Sequence, residues 1–230
     1  MSDNFSRNCK WLHEQLESLL LFKYPFNLDS LPDNGIYFFY ERGEMWGHGG
    51  NKQRIVRIGT CKSGNFKSRI SEHYLLDERK MNFDSKQVAP RERSIFRKNI
   101  GRALLNKTKS SYLNIWEIDF TDRESREQKA HLRNVRLEKN LERQITKILR
   151  ENFSFRFIEV ENEMGSEGLE GRLIGTIAQC RLCRPSKNWL GLHSPINKIR
   201  QSGLWLIQHL GNNGLTDRDK VKIRKIVDRG

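Results

Sequence analysis

The sequence predicts an α/β fold, a small mixed or antiparallel β-sheet flanked by helices, and three observations carry that prediction. Dense β-branched and aromatic runs with period-two alternation mark strands at 36–40, 54–60 and 153–160. Apolar stripes at spacings of three and four mark helices at 8–23, 66–74, 95–104, 132–150 and 169–182. The two kinds of segment interleave through 230 residues that are 36% hydrophobic, enough for one core, so a single domain over 1–230 is expected.

Residues 8–23 set Trp11, Leu12, Leu16, Leu19 and Leu20 on one face and Glu14, Gln15, Glu17 and Ser18 on the other, an amphipathic N-terminal helix. Pro25 and Pro32-Asp33-Asn34-Gly35 punctuate the connection to the first strand, Ile36 to Tyr40. The segment 41–53, with four glycines, reads as the loop of a long hairpin whose second strand is Arg54 to Thr60. Alternation puts Tyr37 and Phe39 opposite Ile36, Phe38 and Tyr40, and separates Ile55 and Arg57 from Val56 and Ile58. Tyr37 and Arg57 are therefore able to share a face.

After a Ser63-Gly64-Asn65 turn, Phe66, Ile70 and Tyr74 define a helix, with Arg69 and His73 side by side on an adjoining stripe. A polar loop over 77–93 leads to a helix carrying Ile95, Phe96, Ile100, Ala103 and Leu104, flanked by Arg97, Lys98 and Arg102. Tyr112 to Phe120 reads as a strand, and 132–150 as a long helix with Leu137, Leu141, Ile145 and Ile148 as its core stripe. Arg136, Lys139, Arg143, Lys147 and Arg150 recur on that helix as a basic ridge. A strand to Val160, a turn at 165–168 and a helix with Leu173, Ile174 and Ile177 complete a core over 34–182. Residues 185–230, with Trp189, Trp205 and a basic end at 220–229, read as an extension packed on that core and ending in a helix.

The 42 lysines and arginines against 28 acids give a formal charge of +14, so a polyanionic partner is expected. No apolar stretch approaches the roughly 20 residues needed to span a bilayer. The N-terminus also lacks the pattern of a signal peptide, and a soluble, cytoplasmic protein without a membrane partner is the expectation. Cys9, Cys61, Cys180 and Cys183 make no disulfide framework. Cys180 and Cys183 have metal-ligand spacing, with His193 and His209 available to complete a zinc site. With no second close ligand pair, structural thiols are the preferred reading.

The order Gly35-Ile36-Tyr37, hairpin, Arg57-Ile58-Gly59, a helix bearing Arg69 and a later helix opening on a glutamate resembles the GIY-YIG nuclease family over roughly residues 34–180. The resemblance implies a GIY-YIG-type sheet and metal-dependent hydrolysis of a DNA phosphodiester. Arg57 stands where the family usually has tyrosine; a guanidinium, with a pKa above about 12, is no base but grips phosphate in a bidentate way. His73, four residues after Arg69 as in some restriction enzymes of the family, supplies an imidazole able to take a proton at neutral pH. Tyr37 and His73 are thus assigned to water activation; the alternative is that His73 only packs beside Tyr74. Arg69 suits the charge that develops on the phosphate oxygens, or else pairs with Glu72 or Asp77.

A hard Mg²⁺ (or Mn²⁺) needs a carboxylate, and two compete for it. Glu170, opening its helix after the strand 153–160, follows the family's order and is preferred to Glu142, which sits mid-helix. The catalytic set is then Tyr37, Arg57, Arg69, His73 and Glu170. Arg97, Lys98, Arg102, Arg136, Lys139 and Arg143 are candidates for tracking the backbone of double-stranded DNA. For the long helix the competing reading is a solvated face studded with Glu138 and Glu142. A restriction or defence endonuclease is the expected function, with a homodimer on DNA where cut sites are symmetric. A catalytically inactive DNA- or RNA-binding module of the same fold is the alternative.

Overall fold

A computed structural model describes residues 2–61, 64–161 and 163–228. Ser63 of the turn expected at 63–65 and Arg229 of the basic end lie outside the described residues. In chain order the elements are α1 (Ser2–Leu16), β1 (Phe22–Lys23), β2 (Ile36–Met45), β3 (Gln53–Thr60) and α2 (Phe66–Tyr74). There follow α3 (Pro90–Arg93), α4 (Ile95–Lys107), α5 (Leu113–Glu117), α6 (Arg123–Lys129) and α7 (Val135–Asn152). The chain closes with β4 (Phe153–Ile158), α8 (Leu169–Ala178), α9 (Asn197–Ser202) and α10 (Asp217–Val227).

The strands form one antiparallel sheet in the order β1-β4-β2-β3. Period-two alternation sends Ile36, Phe38 and Tyr40 of β2 to one face, where α1, α8 and α10 cover them through Leu12, Leu173 and Ile223. Tyr37 and Phe39 face the other way and pack with Phe66 and Ile70 of α2, Phe96 of α4 and Ile145 of α7. The result is a helix–sheet–helix sandwich in which β2 is buried on both faces. Among the described residues no helix is long and apolar enough to cross a membrane.

Three predicted elements differ. The N-terminal helix spans 2–16 instead of 8–23, because Phe22 leaves it to pair with Phe155 of β4 and stack on that ring at 5.3 Å. Tyr112 to Phe120 is no strand: the Trp116 amide bonds the Tyr112 carbonyl (2.9 Å), and the segment turns as α5. Trp116 is buried against Gly101 of α4 and donates its indole N–H to the Lys98 carbonyl (3.0 Å), so tertiary docking overrides β-propensity. The helix expected to reach Leu182 stops at Ala178, which frees the segment containing Cys180 and Cys183 to turn.

Residues 185–228 are packed against the sandwich. Trp189 and Trp205 both donate indole N–H to the buried Glu41 carboxylate (2.8 and 3.0 Å). The Trp205 amide bonds the Val56 carbonyl (2.7 Å), so this segment covers the free edge of β3.

Candidate active site

Tyr37 on β2 lies directly across from Gly59 on β3, and Phe39 from Arg57. A Cβ at Gly59 would overlap the Tyr37 ring, so glycine is what lets the phenol lie flat across the neighbouring strand. The register slips between Phe39 and Tyr40, whose partner is Ile55. This irregularity breaks the strict alternation expected of β3: Ile55 packs with Phe38 and Tyr40, while Arg57 turns to the Tyr37 side. The shared face of Tyr37 and Arg57 survives, and the grouping of Ile55 with Arg57 does not.

Across from them, α2 presents His73, whose Nε2 meets the Tyr37 hydroxyl at 3.0 Å and whose Nδ1 meets Ser94 Oγ at 2.7 Å. Ser94 is the N-cap of α4 and also accepts from the Arg97 amide (3.3 Å), which fixes it as the end of the chain Tyr37, His73, Ser94. Burial, with the charges of Arg57, Arg69 and Arg97 behind it, holds His73 well below the usual imidazole range, so the ring is neutral. Burial pushes the Tyr37 phenol up, opposed by the charge and hydrogen bond of Arg57. His73 therefore does more than pack beside Tyr74.

Arg57 is 7% exposed, stacks over Phe96 at 4.9 Å and donates Nη1 to the Trp205 carbonyl (2.5 Å). Its Nε has no partner, and among the described residues no carboxylate pairs with it. Arg69 is half-buried, bonding Glu72 (3.3 Å) and the Arg93 carbonyl (2.9 Å); of its two expected ion-pair partners, Glu72 takes the role. Glu170 stands in the first turn of α8 and accepts from the backbone amides of Gly165 (3.3 Å) and Thr60. Burial pushes its carboxyl up, opposed by those amides and by the charges of His209 and Arg57.

All five side chains line one cavity of about 680 Å³. His209 and Asn99 line it too. The sequence reading missed Asn99, Ser94 and the Trp205 carbonyl, and named His209 only as a candidate zinc ligand. Ser94 had a readable signal, a serine immediately before the apolar run at 95, whereas the other contributions come from buried helix or tail positions with no periodic signature.

Glu142, the competing carboxylate, is elsewhere and occupied. It is fully buried, with Oε2 on Arg97 Nη2 (2.6 Å) and Oε1 on the Arg91 amide (2.7 Å). That pairing also corrects the DNA-tracking assignment of α4. Arg97 is 0% exposed, Lys98 pairs with Glu92 (3.2 Å), and Arg102 grips Glu117 through two bonds of 2.6 Å. Arg97 and Lys98 thus neutralise buried carboxylates, and Arg102 is held by the exposed Glu117. On α7, Arg136 and Arg143 are exposed and Lys139 rests its ammonium over Phe83 (5.5 Å). Glu138 and Glu142, expected to stud that face, both turn inward.

A tyrosine–histidine pair, two arginines and a carboxylate, drawn from the sheet, α2 and α8, thus line one cavity. The chain belongs to the GIY-YIG family: the GIY-YIG domain model matches residues 2–223, which include the N-terminal helix and most of the tail. Membership makes it a nuclease-type protein, an endonuclease hydrolase in general, from a family whose nucleases act on DNA and are generally metal-dependent. Comparison with curated proteins and with solved structures finds no match.

Proposed function

We propose that this protein is a metal-dependent endonuclease of the restriction or defence type that hydrolyses phosphodiester bonds in double-stranded DNA. The observation that carries the proposal is Arg57, a nearly buried guanidinium with an unsatisfied Nε and no carboxylate partner, lining the same cavity as the Tyr37–His73 pair. A buried charge is ordinarily paired, and the partner that fits here is the anionic oxygen of a phosphate.

In the proposed reaction neutral His73 donates Nδ1–H to Ser94 and accepts the Tyr37 O–H at Nε2. Tyr37 takes a proton from the attacking water as it passes its own to His73, so the phenol need not become a free phenolate in a buried site. Arg57 and Arg69 hold the non-bridging oxygens as negative charge builds on them. The unpaired, half-buried Glu170 carboxylate fits a hard divalent cation, and Mg²⁺ or Mn²⁺ held there would supply Lewis-acid stabilisation of the leaving oxygen. Arg136, Lys139 and Arg143 are assigned to the DNA backbone, which makes binding steeply salt-dependent.

The test is plasmid cleavage with Mg²⁺ by wild type, Tyr37→Phe, His73→Gln and Glu170→Ala. Metal-dependent cutting by wild type alone is expected. Folded wild-type protein that binds plasmid and never cuts it would identify a binding module instead, and full cutting by Glu170→Ala would remove that residue from the metal site. Mapping the cut ends reads the oligomer, since one symmetric sequence at every cut requires paired sites on a homodimer.

A further inference from the structure

Cys180 and Cys183 do have company, though not the histidines their spacing suggested. Cys9 from α1 and His48 from the loop between β2 and β3 join them, and one ligand atom from each of the four lies within 4.8 Å of every other. His193 and His209 are outside the group.

Two edges of this cluster come close to those of a tetrahedral centre, and all of them fall within 4.8 Å. With metal–sulfur bonds of about 2.3 Å and metal–nitrogen bonds of about 2.0–2.1 Å, a tetrahedral centre has S···S edges near ~3.8 Å and S···N edges near ~3.6 Å. Cys9 Sγ lies 3.6 Å from Cys183 Sγ, and Cys180 Sγ lies 3.4 Å from His48 Nε2. A disulfide requires sulfurs about 2.05 Å apart, and three thiols with an imidazole cannot be satisfied by one such bond.

The surroundings suit anionic sulfur. The backbone amides of Leu182 and Cys183 bond the Cys180 sulfur, and the Gly47 amide bonds Cys183. The Trp46 ring stacks edgewise on His48 at 5.3 Å, which orients the imidazole, and no side chain fits at Gly47, where the loop presses on the Leu182 carbonyl.

We propose that Cys9, His48, Cys180 and Cys183 form a structural Zn²⁺ site. Four protein ligands of the Cys₃His type close the coordination shell, so the site is structural and separate from the Mg²⁺ chemistry assigned to Glu170. It joins the N-terminal helix, the tip of the β2–β3 hairpin and the turn after α8. The end of α8 opposite Glu170 is thereby pinned to the sheet.

The experiment is metal analysis of the full chain from zinc-supplemented cells, purified without chelator, followed by exchange of zinc for Co²⁺. One zinc per chain is expected, and the cobalt form should show thiolate charge-transfer bands and the intense d–d bands of a tetrahedral ion. Cys9→Ser and Cys180→Ser should lose the metal. Because Cys9 and Cys180 are buried and their loss also bears on the fold, His48→Ala is the decisive variant: its side chain sits on a half-exposed loop, and the protein should stay folded yet hold Co²⁺ more weakly by well over the roughly 10-fold that an outer-shell change costs. Metal-free protein with all thiols titratable, a disulfide between two of the three clustered cysteines, or an octahedral cobalt spectrum overturns the proposal. None of these readouts depends on nuclease activity.

Discussion

Replacing Glu142 with glutamine separates a structural carboxylate from a catalytic one. Glu142 is the one carboxylate among the described residues that pairs with Arg97, and both side chains are fully buried. Two bonds, 3.1 Å to Nε and 2.6 Å to Nη2, join them. Removing one partner of such a pair strands a charge that water cannot reach, which costs about 3–5 kcal/mol. For a domain of this size that is a fall in Tm of roughly 6–20 °C, at about 2–4 °C per kcal/mol. Thermal and urea denaturation of Glu142→Gln beside wild type measures it. A double variant, Glu142→Leu with Arg97→Met, should recover most of the loss, because an apolar pair restores compensation.

The same variant carries a second readout. Arg97 donates to the His73 carbonyl (3.0 Å), so cleavage by Glu142→Gln falls through displacement of His73, while its Mg²⁺ dependence stays that of wild type. A variant that keeps its Tm but needs far more Mg²⁺ would place the metal on Glu142 and refute this reasoning.

Four further outcomes are expected. Tyr37→Phe keeps the ring packing and loses the bond to His73, so stability changes by about 1 kcal/mol while the cleavage rate falls by roughly 10²–10⁴, read from denaturation and single-turnover kinetics side by side. Gly59→Ala pushes its Cβ into the Tyr37 ring and should cost about 1–3 kcal/mol together with most of the activity; a crystal structure with Tyr37 unmoved would contradict that. His73 is neutral in the fold and its pKa lies well below the unfolded value of about 6.5, so its contribution is intact above that pH and is lost as pH falls, with a slope approaching about 1.4 kcal/mol per unit; His73→Gln should flatten this part of the stability–pH curve. Arg136→Ala and Arg143→Ala, both on exposed positions of α7, should each reduce the salt slope of DNA binding by about one and leave Tm unchanged.

The fold was legible wherever the side-chain period alone decides the element. The alternation at 36–40 reappears as β2, whose successive residues go to the two cores on either face of the sheet, and the stripe at 66–74 reappears as α2, which turns it into one of them. Legibility failed where a distant partner decides. Phe22 reads as the end of a helix until Phe155 is beside it, and Trp116 reads as strand until Gly101 opens a slot for its indole. The slip in β3 is likewise invisible in a short run of β-formers, although it decides which way Arg57 points.

The candidate site divides along the same line. Spacing alone is enough to put Arg69 and His73 on neighbouring positions of one helix, and the chemistry of their side chains suggests a use for them. What spacing cannot give is the partner of a charge. Arg57 and Arg97 both directly follow an apolar residue, Val56 and Phe96, and both end up buried. Arg97 meets Glu142 and is spent on stability, whereas Arg57 meets a backbone carbonyl and a phenyl face and remains uncompensated toward the cavity. The Trp205 carbonyl that positions Arg57 lies in the tail, 148 residues along the chain. The availability of a cation for phosphate is therefore a property of the packed tail and sheet together, and it becomes readable only when every buried carboxylate has been matched to its partner.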